Sequence, residues 1–354
     1  FALMGGRNVR CSHRYVQVHF GFNSCVCAPS WRAKQFNCLE NRKYIRHMIL
    51  ASEEKKLIKK CNIGTASIAY RIFGQGPIEI VIEGSINSCN AEWWDFCSKI
   101  DNHSILVYDR AGYGRSSISK MNRTPENIVK ELSALLENLE VNNKIVLVGH
   151  SQGGLYASLF AINNPEKIKG LILLDPLSYA DNDFKRLLSE EEYKVSGVDK
   201  SLSLKIGKIV TKLKLGFIIK GLLKKSFPFF YHSFSKEAEQ YILGSLMKHS
   251  QYSTALSEYK LSHVDANLEQ LKNSMFNFPL VLITHSSKKM CEEIEYFGNT
   301  TKKIALKVET TWQNIMEKML TISSNSKKYV ADNSCHYIHL TDESMVVKRI
   351  MEIV

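Results

Sequence analysis

The sequence predicts an α/β protein, a mostly parallel sheet flanked by helices with a helical cap inserted late in the chain. Three observations carry this. The runs Lys144–Val148 (KIVLV), Gly170–Leu174 (GLILL) and Leu280–Thr284 (LVLIT) are continuously apolar, as strands buried on both faces are. Segments of helical period alternate with such runs. From Pro176 to Pro279, by contrast, no buried strand can be read, and Glu190–Tyr193 and Lys236–Leu261 look helical.

Each element has its own signal. Thr65–Ile72 (TASIAYRI) alternates like a half-buried strand, and Gly74-Gln75-Gly76-Pro77 ends it. Ile78–Ile82 (IEIVI) is a second strand, followed by a loop with Gly84, Ser85, Asn87 and Ser88. Ile105–Tyr108 is a short apolar run before Asp109. Thr124 and Pro125 suit the N-cap and first position of a helix, and Ile128, Leu132, Leu135, Leu136 and Leu139 follow at helical spacing. After KIVLV, Gln152–Asn163 reads as a helix that stops before Pro165. Beyond LVLIT come a helix around Thr311–Leu320, a strand at Lys327–Val330 and a closing helix, Asp342–Ile353. The expected organisation is therefore a core of 48–175 and 279–354, a cap (lid) of 176–278, and an extension of 1–47.

The 354 residues are 44% apolar and 23% charged, ordinary globular values that exclude wholesale disorder, collagen and coiled coil. No apolar run is long enough to predict a transmembrane helix. The net charge of +12 is uneven. Residues 1–47 hold eight basic residues (Arg7, Arg10, Arg14, Arg32, Lys34, Arg42, Lys43, Arg46) and one acid, Glu40. A nucleic-acid-binding arm would suit that charge, but no nucleic-acid motif accompanies it. Val26-Cys27-Ala28 crudely resembles a signal-cleavage site, yet Arg14, Gln17, His19 and Asn23 break the run before it. We expect the folded part to begin near Met48. The nine cysteines are odd in number and include no CxxC pair. That pattern indicates neither a disulfide framework nor a zinc site, and reduced thiols in a cytoplasmic protein are the simpler expectation.

The strongest motif is Gly149-His150-Ser151-Gln152-Gly153, a G-x-S-x-G that directly follows an apolar strand and precedes a helix. A turn from strand to helix this sharp holds its central residue strained and exposed, and glycines at the flanks avoid clashes. Ser151 is the candidate nucleophile. The next residue, Gln152, offers a backbone N–H at a helix N-terminus, where the dipole favours an oxyanion.

Further segments appear in a telling order. Glu83-Gly84-Ser85-Ile86-Asn87-Ser88 follows the second strand, Asp109-Arg110-Ala111-Gly112-Tyr113-Gly114-Arg115-Ser116 follows Tyr108, and Asn333-Ser334-Cys335-His336-Tyr337-Ile338-His339-Leu340 lies near the end. Together with the elbow they resemble the α/β-hydrolase fold family over nearly all of 62–354. The resemblance implies an oxyanion loop at 83–88, with Ile86 as the N–H donor and Ser85 as its alternative. It implies His336 as the base, with His339 as competitor. It implies a carboxylate that orients the imidazole. That family usually supplies its acid just after the strand Leu280–Thr284. Here His285–Glu293 contains no aspartate. Some relatives take the acid from the end of the preceding strand, which is Asp175, so Asp175 is favoured with Glu292 and Glu293 left open. A turn-capping role before Pro176 is the competing use of Asp175. The departures are Cys335, where the family has glycine, and a loop without the usual His-Gly pair. Serine rather than aspartate at the elbow argues against haloalkane dehalogenase or epoxide hydrolase chemistry. Asp109 and Arg110 are read as fixing the loop, and Trp93 and Trp94 as packing beneath it.

Lys200–Phe230 holds eight lysines and no acid, interleaved with leucine, isoleucine and phenylalanine. Two readings fit. In one, the apolar side lies on the core and the lysines are solvated. In the other, the segment touches an anionic membrane as a peripheral contact. Either favours a hydrophobic acyl or alkyl group in the substrate.

The function expected is a serine hydrolase (carboxylesterase- or lipase-like) that cleaves a small-molecule ester through an acyl-enzyme on Ser151, without metal or organic cofactor. A thioesterase, acyltransferase, peptidase or carbon–carbon hydrolase would use the same residues. A non-catalytic ligand-binding protein on this scaffold is the alternative from another class.

Overall fold

The structure, a computed structural model, describes residues 57–262 and 267–354. The expectations for 1–47 and for a start at Met48 lie outside the described residues. Eight strands form one sheet in the order β1-β2-β4-β3-β5-β6-β7-β8. They are β1 (Lys59–Asn62), β2 (Ser67–Phe73), β3 (Ile80–Glu83), β4 (Ile105–Tyr108), β5 (Ile145–His150), β6 (Ile168–Leu174), β7 (Leu280–His285) and β8 (Ser326–Ala331). β2 runs antiparallel to β1 and β4, and every other pairing is parallel. The predicted α/β class with a mostly parallel sheet is the observed one.

The continuous apolar runs have a simple cause. Successive residues of a strand point to opposite faces, and both faces are covered. Leu147, Leu171, Leu173, Leu280 and Leu282 lie in the core on one side. Val146, Val148, Ile172, Leu174, Val281 and Ile283 lie in the core on the other. α1 (Trp94–Cys97) follows β3. α2 (Pro125–Asn138) and α3 (Gln152–Asn163) cover the first side through Leu132, Leu135, Leu155 and Phe160. Thr124 caps α2 by accepting from Asn127 N at 3.4 Å, with Pro125 at its first position.

Between β6 and β7 the described elements are all helices: α4 (Asn182–Leu187), α5 (Glu190–Val195), α6 (Ser201–Lys212), α7 (Gly216–Leu223), α8 (Lys236–Leu246), α9 (His249–Leu261) and α10 (Asn267–Lys272). The single helical stretch expected over Lys236–Leu261 is two helices, α8 and α9. After β7 come α11 (Ser287–Gly298), α12 (Lys302–Glu317), then β8, α13 (Ile338–Thr341) and α14 (Glu343–Met351). α12 starts well before the predicted Thr311, capped by Thr301, which accepts from Ile304 N at 3.4 Å; the buried Glu309 interrupts its apolar face and hides the period in the sequence. β1 escaped the sequence reading because it is a mostly exposed edge strand, KKCN, whose lysines guard the sheet edge. Among the described residues no helix is long and apolar enough to cross a membrane.

Parallel strands gather their carboxyl ends along one edge, and ligand sites of open α/β sheets lie there. Glu83, His150, Leu174, His285 and Ala331 end β3, β5, β6, β7 and β8. Each leads directly into a segment that carries a candidate site residue.

Candidate active site

Ser151 stands between β5 and α3 with φ 55° and ψ −125°. An L-residue there is strained by about 1–3 kcal/mol, and the surroundings must hold it. They do so through the backbone. Ser151 N donates to Leu174 O at 3.0 Å, and Ser151 O accepts from Leu177 N at 2.8 Å and Gly154 N at 2.9 Å. The flanking glycines are required by close approach. A Cβ on Gly153 would stand 2.3 Å from the carbonyl oxygens of Glu83 and Gly84, and one on Gly149 would stand 2.6 Å from Gly154 Cα.

Asp175 follows β6 and is fully buried, also at positive φ (46°). His336 Nδ1 lies 2.6 Å from Asp175 Oδ2, so this nitrogen carries the proton and donates it. The His336 side chain is 28% exposed, in contrast to its carboxylate partner. No hydrogen bond joins Ser151 Oγ to His336 among the described residues; such contacts are often long before substrate binds.

A second histidine shares the carboxylate. His285 Nδ1 lies 2.7 Å from both Asp175 oxygens, and His285 Nε2 lies 2.9 Å from Glu309 Oε2. Carboxylates only accept, so both ring nitrogens donate and the ring is an imidazolium. Burial alone would lower the His285 pKa, but Asp175 and Glu309 outweigh it and push it up to about 10. Burial would likewise raise Asp175, but His285 and then His336 hold it well below the usual carboxylate range. Gln313 Nε2 completes the arrangement by donating to Glu309 Oε1 at 2.8 Å.

The elbow histidine also has a task. His150 Nε2 donates to the carbonyl of His336 at 3.0 Å and so ties β5 to the loop that carries His336. Burial first, then the neighbouring His336, lowers the His150 pKa to about 3, so this ring is neutral.

The loop after β3 is held by buried charge. Arg110 donates to Gly84 O at 2.6 Å and Ser85 O at 2.8 Å. A trans peptide points its C=O and the next N–H in opposite directions. Arg110 therefore holds the Ile86 N–H turned away from itself. Neither Ile86 N nor Gln152 N has an acceptor among the described residues. Arg110 also pairs with Glu83 Oε1 at 2.6 Å and Glu258 Oε2 at 3.0 Å, and Arg123 bridges Glu258 at 3.1 Å and Glu131 at 2.6 Å. Asp109 accepts from the Asn90 and Arg115 N–H groups, both at 2.8 Å, and from the Tyr241 hydroxyl.

The remaining candidates lie apart from this pair. Glu292 faces Lys289 at 3.5 Å, and Glu293 accepts from the Tyr231 hydroxyl. Neither carboxylate bonds a histidine among the described residues. His339 is buried, stacked on Trp93 at 3.9 Å, with neither nitrogen hydrogen-bonded among the described residues. Trp93 is packed in the core, and Trp94 Nε1 donates to Asn90 Oδ1 at 2.6 Å. Sequence reasoning passed over His150, His285 and Glu309. The available signal was a histidine at the carboxyl end of a buried strand, where a polar residue needs a reason.

Residues 80–195 match the family model described as alpha/beta hydrolase fold. The uncharacterized protein YqjL of Bacillus subtilis (strain 168) is 26% identical over 275 residues, 77% of this chain and 82% of that one. The (lyso)-N-acylphosphatidylethanolamine lipase of Bos taurus is 26% identical over 150 residues, 42% of this chain and 42% of its own length. The chain thus spans less than half of that lipase. Among solved structures, a thermophilic esterase from Thermogutta terrifontis superposes with a TM-score of 0.54 at 18% identity, covering 83% of this chain and 97% of that one. The chain has the α/β-hydrolase fold.

Proposed function

We propose that this protein is a serine hydrolase that cleaves carboxylic esters through an acyl-enzyme on Ser151. The observation that carries the reading is the 2.6 Å contact between His336 Nδ1 and the buried, ionised Asp175, at the same sheet edge as the strained Ser151. In this mechanism Ser151 Oγ attacks the ester carbonyl and gives its proton to His336 Nε2. The imidazolium is held by Asp175. The oxyanion is met by the N–H groups of Gln152 and Ile86. The bond to the alcohol breaks as His336 returns the proton to the departing oxygen. Water, deprotonated by His336, then releases the acid and restores Ser151.

A hydrophobic substrate is supported by the rings beside the base. Tyr337 stands 5.6 Å from the His336 ring, Tyr231 5.4 Å from Tyr337, and Phe227 5.2 Å from Tyr231. The lipase relative points the same way. On this reading the helices between β6 and β7 act as a cap over the site, and a cytoplasmic location is part of the proposal.

A fluorophosphonate probe tests it, because only an activated serine reacts. We expect one adduct on Ser151, lost in Ser151→Ala and in His336→Ala, followed by turnover of p-nitrophenyl esters. Folded protein that takes no label would overturn the reading and leave a ligand-binding scaffold.

A further inference from the structure

Helix α6 is turned inside out. Leu202, Ile206, Ile209 and Leu213, spaced 4, 3 and 4 residues apart, form one stripe along it and its end, and they are 68%, 52%, 59% and 61% exposed. An amphipathic helix on a protein surface normally buries such a stripe. Here the buried side is Leu204, Gly207 and Thr211. Gly207 allows close packing on α9, since a Cβ there would meet the Tyr252 ring at 2.3 Å. The apolar stripe therefore has no cover among the described residues.

Charge says what covers it. From Lys200 to Lys236 there is no acidic residue. Lys205, Lys212, Lys214, Lys220 and Lys225 are all exposed and make no ion pair among the described residues. An exposed apolar stripe flanked by lysines is the make-up of a helix that lies in a membrane interface. A second copy of this chain would set lysines against lysines, which disfavours self-association.

We propose that the outer face of α6 seats this protein on an anionic lipid surface, with the stripe in the interface and the lysines on the headgroups. The inference does not depend on Ser151 being a nucleophile. It would nonetheless bring lipid close to the candidate site. Ile86 packs against the cluster formed by Leu204 of α6 and Tyr252, Ala255 and Leu256 of α9. Gln251 of α9 donates to the carbonyls of Asn87 and Ser88 at 2.9 and 3.1 Å. One helix, α9, links the surface to the loop after β3.

Vesicle co-sedimentation of the full chain tests this, with phosphatidylcholine alone or mixed with phosphatidylglycerol. The same measurement on Ser151→Ala separates it from the hydrolase reading. We expect binding to the anionic vesicles only, weakened by salt, in both proteins. Each lysine near the surface should contribute roughly fivefold to partitioning. Ile206→Glu/Ile209→Glu should lower binding at least about tenfold, with circular dichroism and fluorophosphonate labelling unchanged, because both residues are exposed and outside the candidate site. The variant retains the basic residues of 1–47. Equal binding by wild type and variant would thus assign any attraction to that extension and overturn the proposal. So would absence of binding, or a wild-type dimer in sedimentation velocity that the variant abolishes.

Discussion

Asp175 is asked to serve two histidines, and the two contacts have separable consequences. If His336 is the base, Asp175→Asn should leave the fold intact and lower kcat for ester hydrolysis by about 10⁴-fold, measured with a p-nitrophenyl ester. His285 stands behind this carboxylate as a positioning residue, bonded to both of its oxygens. His285→Gln removes the clamp and strands Glu309 in the core, which should cost about 3 kcal/mol or more. His285→Gln/Glu309→Gln should recover part of that stability while kcat stays depressed. The pH dependence follows from the same pair. The folded pKa of about 10 lies above the unfolded value of 6.5. This stabilisation is therefore complete below about 6.5 and is lost as pH rises toward 10. Urea titrations across that range should show the decline in wild type and not in the double variant.

The elements are where local pattern and long-range contact part company. β5 and the start of α3 were readable, because a buried strand, glycines at a tight turn and a helix start are all local chemistry. The loop after β3 and Arg110 as its anchor were readable, but the counter-charges that hold Arg110 were not, since they come from separate elements. Arg110 follows β4, Glu83 ends β3, and Glu258 sits on α9. Burial works to raise the Glu258 pKa, but Arg110 and Arg123 outweigh it and keep the group ionised. Glu258→Gln leaves two buried guanidinium groups short of a counter-charge and should destabilise by about 3–5 kcal/mol, read as a fall in Tm. Because Arg110 also holds the Gly84 and Ser85 carbonyls, the same variant should lower kcat more than it raises KM. Gly153→Ala should act on the same loop from the other side, by pushing α3 away from Glu83 O. Its expected signature is weaker fluorophosphonate labelling with Ser151 still present.

At the scale of the whole molecule, the helices between β6 and β7 are joined to the sheet by buried polar contacts as well as by packing. Tyr241 of α8 bonds Asp109 and Asn90, Gln251 of α9 receives Gly114 N at 3.0 Å, and Glu258 binds both buried arginines. Each contact would leave a buried polar group unpaired if the helices lifted off alone. The amides of α9 should therefore exchange with the same free energy as those of β5, which hydrogen exchange under native conditions measures. α6 rests on fewer buried residues and should exchange sooner.

The sequence by itself determined the layering of the sheet, the elbow at Ser151 and the position of the histidine-bearing segment, because periodicity and turn chemistry are written within a few residues. It did not determine which carboxylate meets His336. Asp175 lies 161 residues away in the chain, and only the β6–β7 and β7–β8 pairings set it beside both histidines. Nor did it determine which side of α6 faces out. An amphipathic pattern establishes that a helix has two faces, but the neighbour that packs against one of them decides which is left to solvent. Here Tyr252 takes the glycine side, and Leu202, Ile206, Ile209 and Leu213 are left outside.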